Sequence, residues 1–231
     1  MPNLPRPIVP GSCLIVELPE PLRAKLAALG VEEAQSIVSA LEWSSRQGLS
    51  DVAGILAELL DPSTSTRALF LAADAGHLDC VKALLPTSSP ADIFAARRAA
   101  VLQRNKACLA LLLAPPNDGE VEHMLLRIAA SNDSHACCAL LLPRSSPALA
   151  FPGALDCAAE LGFHRIADLV LQKLSELPVE QSQAALSEAR ARGLRSATAL
   201  ISTLVDRLVE QGAIADAAPP PASKLPHPPR L

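Results

Sequence analysis

The segment ALFLAADAGHLDCVKALLP, from Ala68 to Pro86, recurs in outline along the chain, and this recurrence constrains the fold more than any other feature. A small pair, Ala72-Ala73, returns as Ala99-Ala100, Ala129-Ala130 and Ala158-Ala159 and, degraded, as Ala189-Arg190. The interval is nearly constant at about 30 residues, a period that marks repeat architectures. A closing apolar pair travels with it: Leu84-Leu85, Leu111-Leu112, Leu141-Leu142, Val170-Leu171 and Ile201-Ser202. Four residues past the first Ala stand Gly76, Gln103, Asp133, Gly162 and Gly193. A helix that stops and reverses often needs a left-handed residue at its end, which glycine adopts without a Cβ penalty and Asn or Asp adopt next best. Each unit therefore reads as helix, tight turn, helix, and the chain as an all-α repeat solenoid of about five clear units.

The linkers keep the same phase. LLPTSSPA from Leu84 and LLPRSSPA from Leu141 differ at one position and lie two repeats apart. Proline after the Leu pair ends one helix, and Ser-Ser-Pro opens the next. One repeat toward the N-terminus from the clearest unit, Val52, Ile55 and Leu56 stand in the places of Val81, Leu84 and Leu85. That predicts a degenerate first unit, with helices at Ile37 to Arg46 and Asp51 to Leu60 and Trp43 in place of the small Ala, preceded by a capping helix over Arg23 to Leu29. The domains expected are an extended Pro-rich lead-in (1–20), N-terminal capping helices with the degenerate first repeat (21–66), the repeats (67–214) and a disordered Pro-rich tail (215–231), the tail serving as a spacer or itself as a ligand.

Composition supports helices and narrows the function. Hydrophobic residues make up 50% of the chain, but aromatics only 2%, so burial must come from Leu, Ala, Val and Ile, which suit close helix packing. A net charge of −4 without any Lys/Arg block argues against nucleic acid as a partner. No apolar run approaches a membrane span, and the N-terminus lacks a charged segment followed by an apolar one, so the expectation is a soluble cytoplasmic protein, with non-Sec secretion as a variant. In that compartment Cys13, Cys80, Cys108, Cys137, Cys138 and Cys157 are free thiols.

Arg67 to Leu85 resembles the ankyrin repeat, whose pattern runs T-P-L-H-x-A-A, then G-H, then V-V-x-x-L-L. Leu69, Ala72, Ala73, Gly76, His77, Val81, Leu84 and Leu85 match it, whereas Arg67, Ala68 and Phe70 stand in the Thr, Pro and His places. The unit at Ala154 to Leu171 matches next best, through Leu155, Ala158, Ala159, Gly162, Ile166 and Leu171. The resemblance implies a non-catalytic module that binds another protein in a concave groove, with no cofactor, metal or membrane. These units run short of the family period of about 33 residues and carry Pro-rich linkers in place of its β-hairpin finger.

By the same resemblance, the residues between the Ala pair and the turn face outward into the groove: Asp74 and Ala75, Val101 and Leu102, Ser131 and Asn132, Glu160 and Leu161, Ala191 and Arg192. Val101, Leu102 and Leu161 would then be exposed apolar residues, a mark of a protein-binding patch. Gly76, His77, Gly162 and Gly193 are structural turn residues, with His77 tying the turn by hydrogen bonding. Asp51, Glu58, Asp79 and Asp168 fit solvated helix faces. His135, Cys137 and Cys138 are the densest metal-like group, but one helical stretch cannot aim all three at one ion, and no spacing supplies a closed ligand set. Two alternatives stand beside the binding module. One is an injected bacterial effector that uses the repeats to seize a host protein; the other is a thiol-dependent enzyme or redox protein centred on Cys137 or Cys138, which requires an accessible, low-pKa thiol.

Overall fold

In a computed structural model, the structure describes residue 24 and residues 37–60, 67–114 and 119–216. The predicted lead-in, the capping helix at Arg23 to Leu29 and residues 217–231 of the tail fall essentially outside these segments. Between residues 37 and 216 the described chain is all-α and contains no strand. Its helices are α1 (Ile37–Gln47), α2 (Ser50–Glu58), α3 (Ala68–Ala75), α4 (Leu78–Leu84), α5 (Pro90–Leu102), α6 (Lys106–Leu112), α7 (Gly119–Ser131), α8 (His135–Leu141), α9 (Pro147–Glu160), α10 (His164–Ser175), α11 (Val179–Ala191) and α12 (Arg195–Asp216). The last runs just into the predicted tail.

Successive pairs form antiparallel hairpins. Within the row α1, α3, α5, α7, α9 and α11 each helix packs on the next, and α2, α4, α6, α8, α10 and α12 do the same. Each hairpin reverses at one residue of positive φ: Gly48, Gly76, Arg104, Asp133, Gly162 and Gly193. The repeat is thus kept from end to end and lengthens slightly in the last unit. Around each turn the backbone repeats a Schellman pattern. The N–H one residue past the turn donates to the carbonyl four residues before it in every hairpin: Leu49 to Ser44, His77 to Ala72, Asn105 to Ala100, Ser134 to Ala129, Phe163 to Ala158 and Leu194 to Ala189, at 2.8 to 3.0 Å.

The observed turns correct the predicted phase in two places. In the second clear unit the left-handed residue is Arg104, not Gln103, so Ala100 and Val101 replace Ala99 and Ala100 as the small pair, and Leu112 and Leu113, both buried, replace Leu111 and Leu112. In the first hairpin the register lies one position later than expected. Ser44, not Trp43, stands in the Ala place, and Ile55 is 40% exposed while Val52, Ala53 and Leu56 are buried.

With this register the core resolves into columns. Eight residues before the turn come Ala40, Ala68, Ala96, Leu125, Ala154 and Ala185; four before it come Ser44, Ala72, Ala100, Ala129, Ala158 and Ala189, all buried. Small side chains on this face let the first helices of neighbouring hairpins approach closely. Eight residues past the turn, Leu56, Leu84, Leu112, Leu141, Val170 and Ile201 are buried in turn, each worth about 2 kcal/mol of transfer free energy. Cys80, Cys108 and Cys137 share one column with Val52 and Ile166, while Cys138 takes the place of Val81.

Where described, the linkers are short and ordered. Leu85–Thr87 and Leu142–Arg144 each form one 3-10 turn, and a serine then opens the next helix with proline at its first position. Ser89 completes a capping box: its hydroxyl accepts from the Asp92 N–H at 3.2 Å, and Asp92 Oδ2 accepts from the Ser89 N–H at 3.3 Å.

Candidate functional site

Neighbouring turns are tied by polar side chains that reach back one hairpin. The His77 ring lies over Gly48, where a Cβ would come within 2.8 Å of its Nδ1, and its Nε2 is 3.0 Å from the Arg46 carbonyl. Asn105 lies over Gly76 in the same way and donates to the Ala73 carbonyl at 3.0 Å. His77 is therefore structural, but it ties the preceding turn rather than its own. Ser134 is the next member of this set and is too short to reach; its buried hydroxyl finds no oxygen or nitrogen partner and meets only the Cys137 thiol. Asn132 makes the reach instead, donating to the Leu102 carbonyl at 2.6 Å. Gly162 and Gly193 meet no such neighbour, so only their positive φ calls for glycine.

These ties occupy part of the predicted groove. Asp74 accepts from Gln103 Nε2 at 2.9 Å, Asn132 is held as described, and the Ser131 hydroxyl donates to its own helix at Ile128. Ala75, Glu160 and Ala191 are exposed. Leu102 and Leu161 are 45% and 53% exposed, as expected. Val101 is not: it is fully buried, because the one-residue shift at Arg104 turns it into the core and makes Leu102 and Gln103 the outward pair.

Arg192 belongs to a larger feature that the repeat pattern does not reveal. A cleft of about 350 Å³ runs across the first helices α7, α9 and α11, lined by His123, Met124, Arg127, Leu149, Ala150, Gly153, Glu188 and Arg192. Local chemistry along α9 builds its floor. Pro152 lies inside the helix and lacks an N–H, so in the turn before it the Ala148 carbonyl, next to that of Leu149, loses its intrahelical donor. Arg192 lies across that turn, donating from Nη1 to the Leu149 carbonyl at 3.0 Å, and a Cβ at Gly153 would come within 3.1 Å of its Nη2. Glu188 lies 4.0 Å from Arg192 Nε. His123 Nε2 accepts from the Ser146 N–H at 3.4 Å, which anchors the start of α9. Met124 and Leu149, each 49% exposed, supply the apolar rim.

The thiols are placed differently from what the enzyme alternative needs. Cys137 and Cys138 are buried, and burial raises both, Cys138 to about 12; the Ser134 hydroxyl and Lys106 only partly offset this at Cys137. Both thiols are thus buried and shifted away from the low pKa that marks a reactive thiol. Cys157, half-buried on α9, is also raised by burial, against the opposing charges of Arg127 and Arg192. Among the described residues no three His, Cys, Asp or Glu side chains gather where they could hold a metal, and no helix is long and apolar enough to cross a membrane.

No protein-family model matches the chain, and a search of curated proteins finds no match.

Proposed function

We propose that the chain is a non-catalytic, ankyrin-like repeat solenoid that binds another protein through the outward face of its first helices. The observation that carries this reading is where large apolar side chains are left exposed. Of the six described, Leu102, Met124, Leu149 and Leu161 belong to α5, α7, α9 and the turn that ends α9. Exposed apolar side chains on successive first helices, accompanied by Arg127, Arg192 and Glu160, have the composition of a protein interface, in which a few apolar and Arg anchors supply most of the energy. The short, tied turns favour a preformed surface, which lowers the ordering cost of binding.

Site-specific photo-crosslinking in the native host tests this. A photoreactive residue at Leu102, Met124 or Leu149 is expected to give one discrete protein adduct, whereas the same residue at exposed second-helix positions Asp79, Ala110 or Ala139 gives none. Adducts confined to the second-helix positions would sink the reading.

A further inference from the structure

We propose that the cleft across α7, α9 and α11 receives an acidic side chain of the partner flanked by apolar residues, with its carboxylate between Arg127 and Arg192 and its apolar neighbours on Met124 and Leu149. This rests on the reading that the first-helix face binds protein, and it adds the chemistry of what is bound.

Charge complementarity carries the argument. Two guanidinium groups line the cleft on either side of α9, Arg127 from α7 and Arg192 from the turn that ends α11; both act electrostatically on Cys157 of the intervening helix, where Asp156 and Glu160 oppose them. The one carboxylate among the lining residues, Glu188, sits beside Arg192 at 4.0 Å. Arg127 is exposed and makes no ion pair among the described residues. His123 brings no negative charge to the lining, and its Nε2 accepts from the Ser146 N–H. The lining thus holds an unmatched positive charge on a protein whose net charge is −4. A planar guanidinium favours a carboxylate through paired N–H donors.

Arg192 is also held in advance. Its Nη1 is fixed on the Leu149 carbonyl, and the missing side chain at Gly153 lets the guanidinium lie flat on α9. Glycine in the middle of a helix otherwise costs stability relative to alanine. Its presence here is accounted for by the close approach of Arg192. The cleft volume of about 350 Å³ suits one or two side chains of a docked segment, and the half-exposed Met124 and Leu149 border it.

The test is a random peptide display library panned against the full chain, with the selected peptides then titrated against Arg127→Gln, Gly153→Ala and Met124→Asp. Selected peptides are expected to carry Asp or Glu within two residues of Leu, Ile, Met or Phe. They should bind Arg127→Gln about tenfold more weakly, the loss of one charge-assisted hydrogen bond. Gly153→Ala pushes the Arg192 guanidinium outward by a few tenths of an ångström and should weaken binding measurably while the protein melts no lower than the wild type. Peptides without acidic residues that still lose binding to Met124→Asp would overturn the carboxylate proposal and leave the binding face standing. Peptides indifferent to all three substitutions, or no selection at all, would overturn both.

Discussion

The two hairpins that reverse without glycine mark the strain in this chain. Arg104 and Asp133 adopt φ of 59° and 50°, where a side chain on an L-residue costs about 1–2 kcal/mol and aspartate is better tolerated than arginine. The Arg104 side chain is exposed and makes no hydrogen bond or ion pair among the described residues, so nothing local offsets that cost. Arg104→Gly is expected to raise stability by about 1 kcal/mol in urea unfolding, after allowing for the freer unfolded chain; no gain would mean that the turn falls elsewhere. The thiols set a pH limit. Cys80, Cys108, Cys137 and Cys138 are raised from 9.0 by burial, Cys138 to about 12. Above pH 9 the unfolded chain releases these protons while the folded chain keeps them, so stability is full below that pH and falls as pH rises from 9 toward 12. Thermal melts across this range should show the fall, and replacing the four with Ala or Val should flatten it.

At the scale of the helix, the unusual member is α5. Seven residues before each turn stand Leu41, Leu69, Leu126, Leu155 and Leu186, but in α5 the residue is Arg97, only 4% exposed. Its Nε and Nη2 donate to the Leu112 carbonyl at 2.9 and 2.7 Å, and Arg144 donates to the Leu113 carbonyl at 2.8 Å. These are end carbonyls of α6, which lack intrahelical donors and carry the negative end of its dipole. Burial lowers the Arg97 guanidinium, and the buried Glu122 opposes that shift. Arg97→Leu is therefore expected to cost about 1–3 kcal/mol although it restores the column residue, because it orphans a buried carbonyl and removes a positive charge that acts on the buried Glu122. Adding Glu122→Leu should recover part of the loss; a stabilising Arg97→Leu alone would contradict this account. Glycine and Asp133 made four of the turns legible from spacing alone. The Arg104 turn slipped by one because Ala99-Ala100-Val101 and Leu111-Leu112-Leu113 each offer two equally good pairs. Neither Arg97 nor the cleft follows from the pattern, since Gly153 and Arg192 depart from their column neighbours and the lining residues meet only when three hairpins stack.

Across the whole molecule, local contacts dominate. Each helix packs on its hairpin partner and on the corresponding helices of the next hairpins, with α12 also lying against α9, where Asp156 accepts from the Ala197 N–H at 3.0 Å, so burial accumulates hairpin by hairpin rather than around one centre. The same arrangement brings residues one repeat apart in sequence onto one outward face, which is how the cleft on α7, α9 and α11 comes to exist. Six turns of one geometry, in one register, build this stack. Residue-resolved amide hydrogen exchange tests it most directly. The amides of Leu49, His77, Asn105, Ser134, Phe163 and Leu194, each bonded to the carbonyl four residues before its turn, should be protected, with the exposed N-terminal amides of the intervening second helices exchanging faster. Protection at these six positions, Asn105 among them, is the predicted result. Unprotected exchange at most of them, or protection displaced from this register, would contradict it.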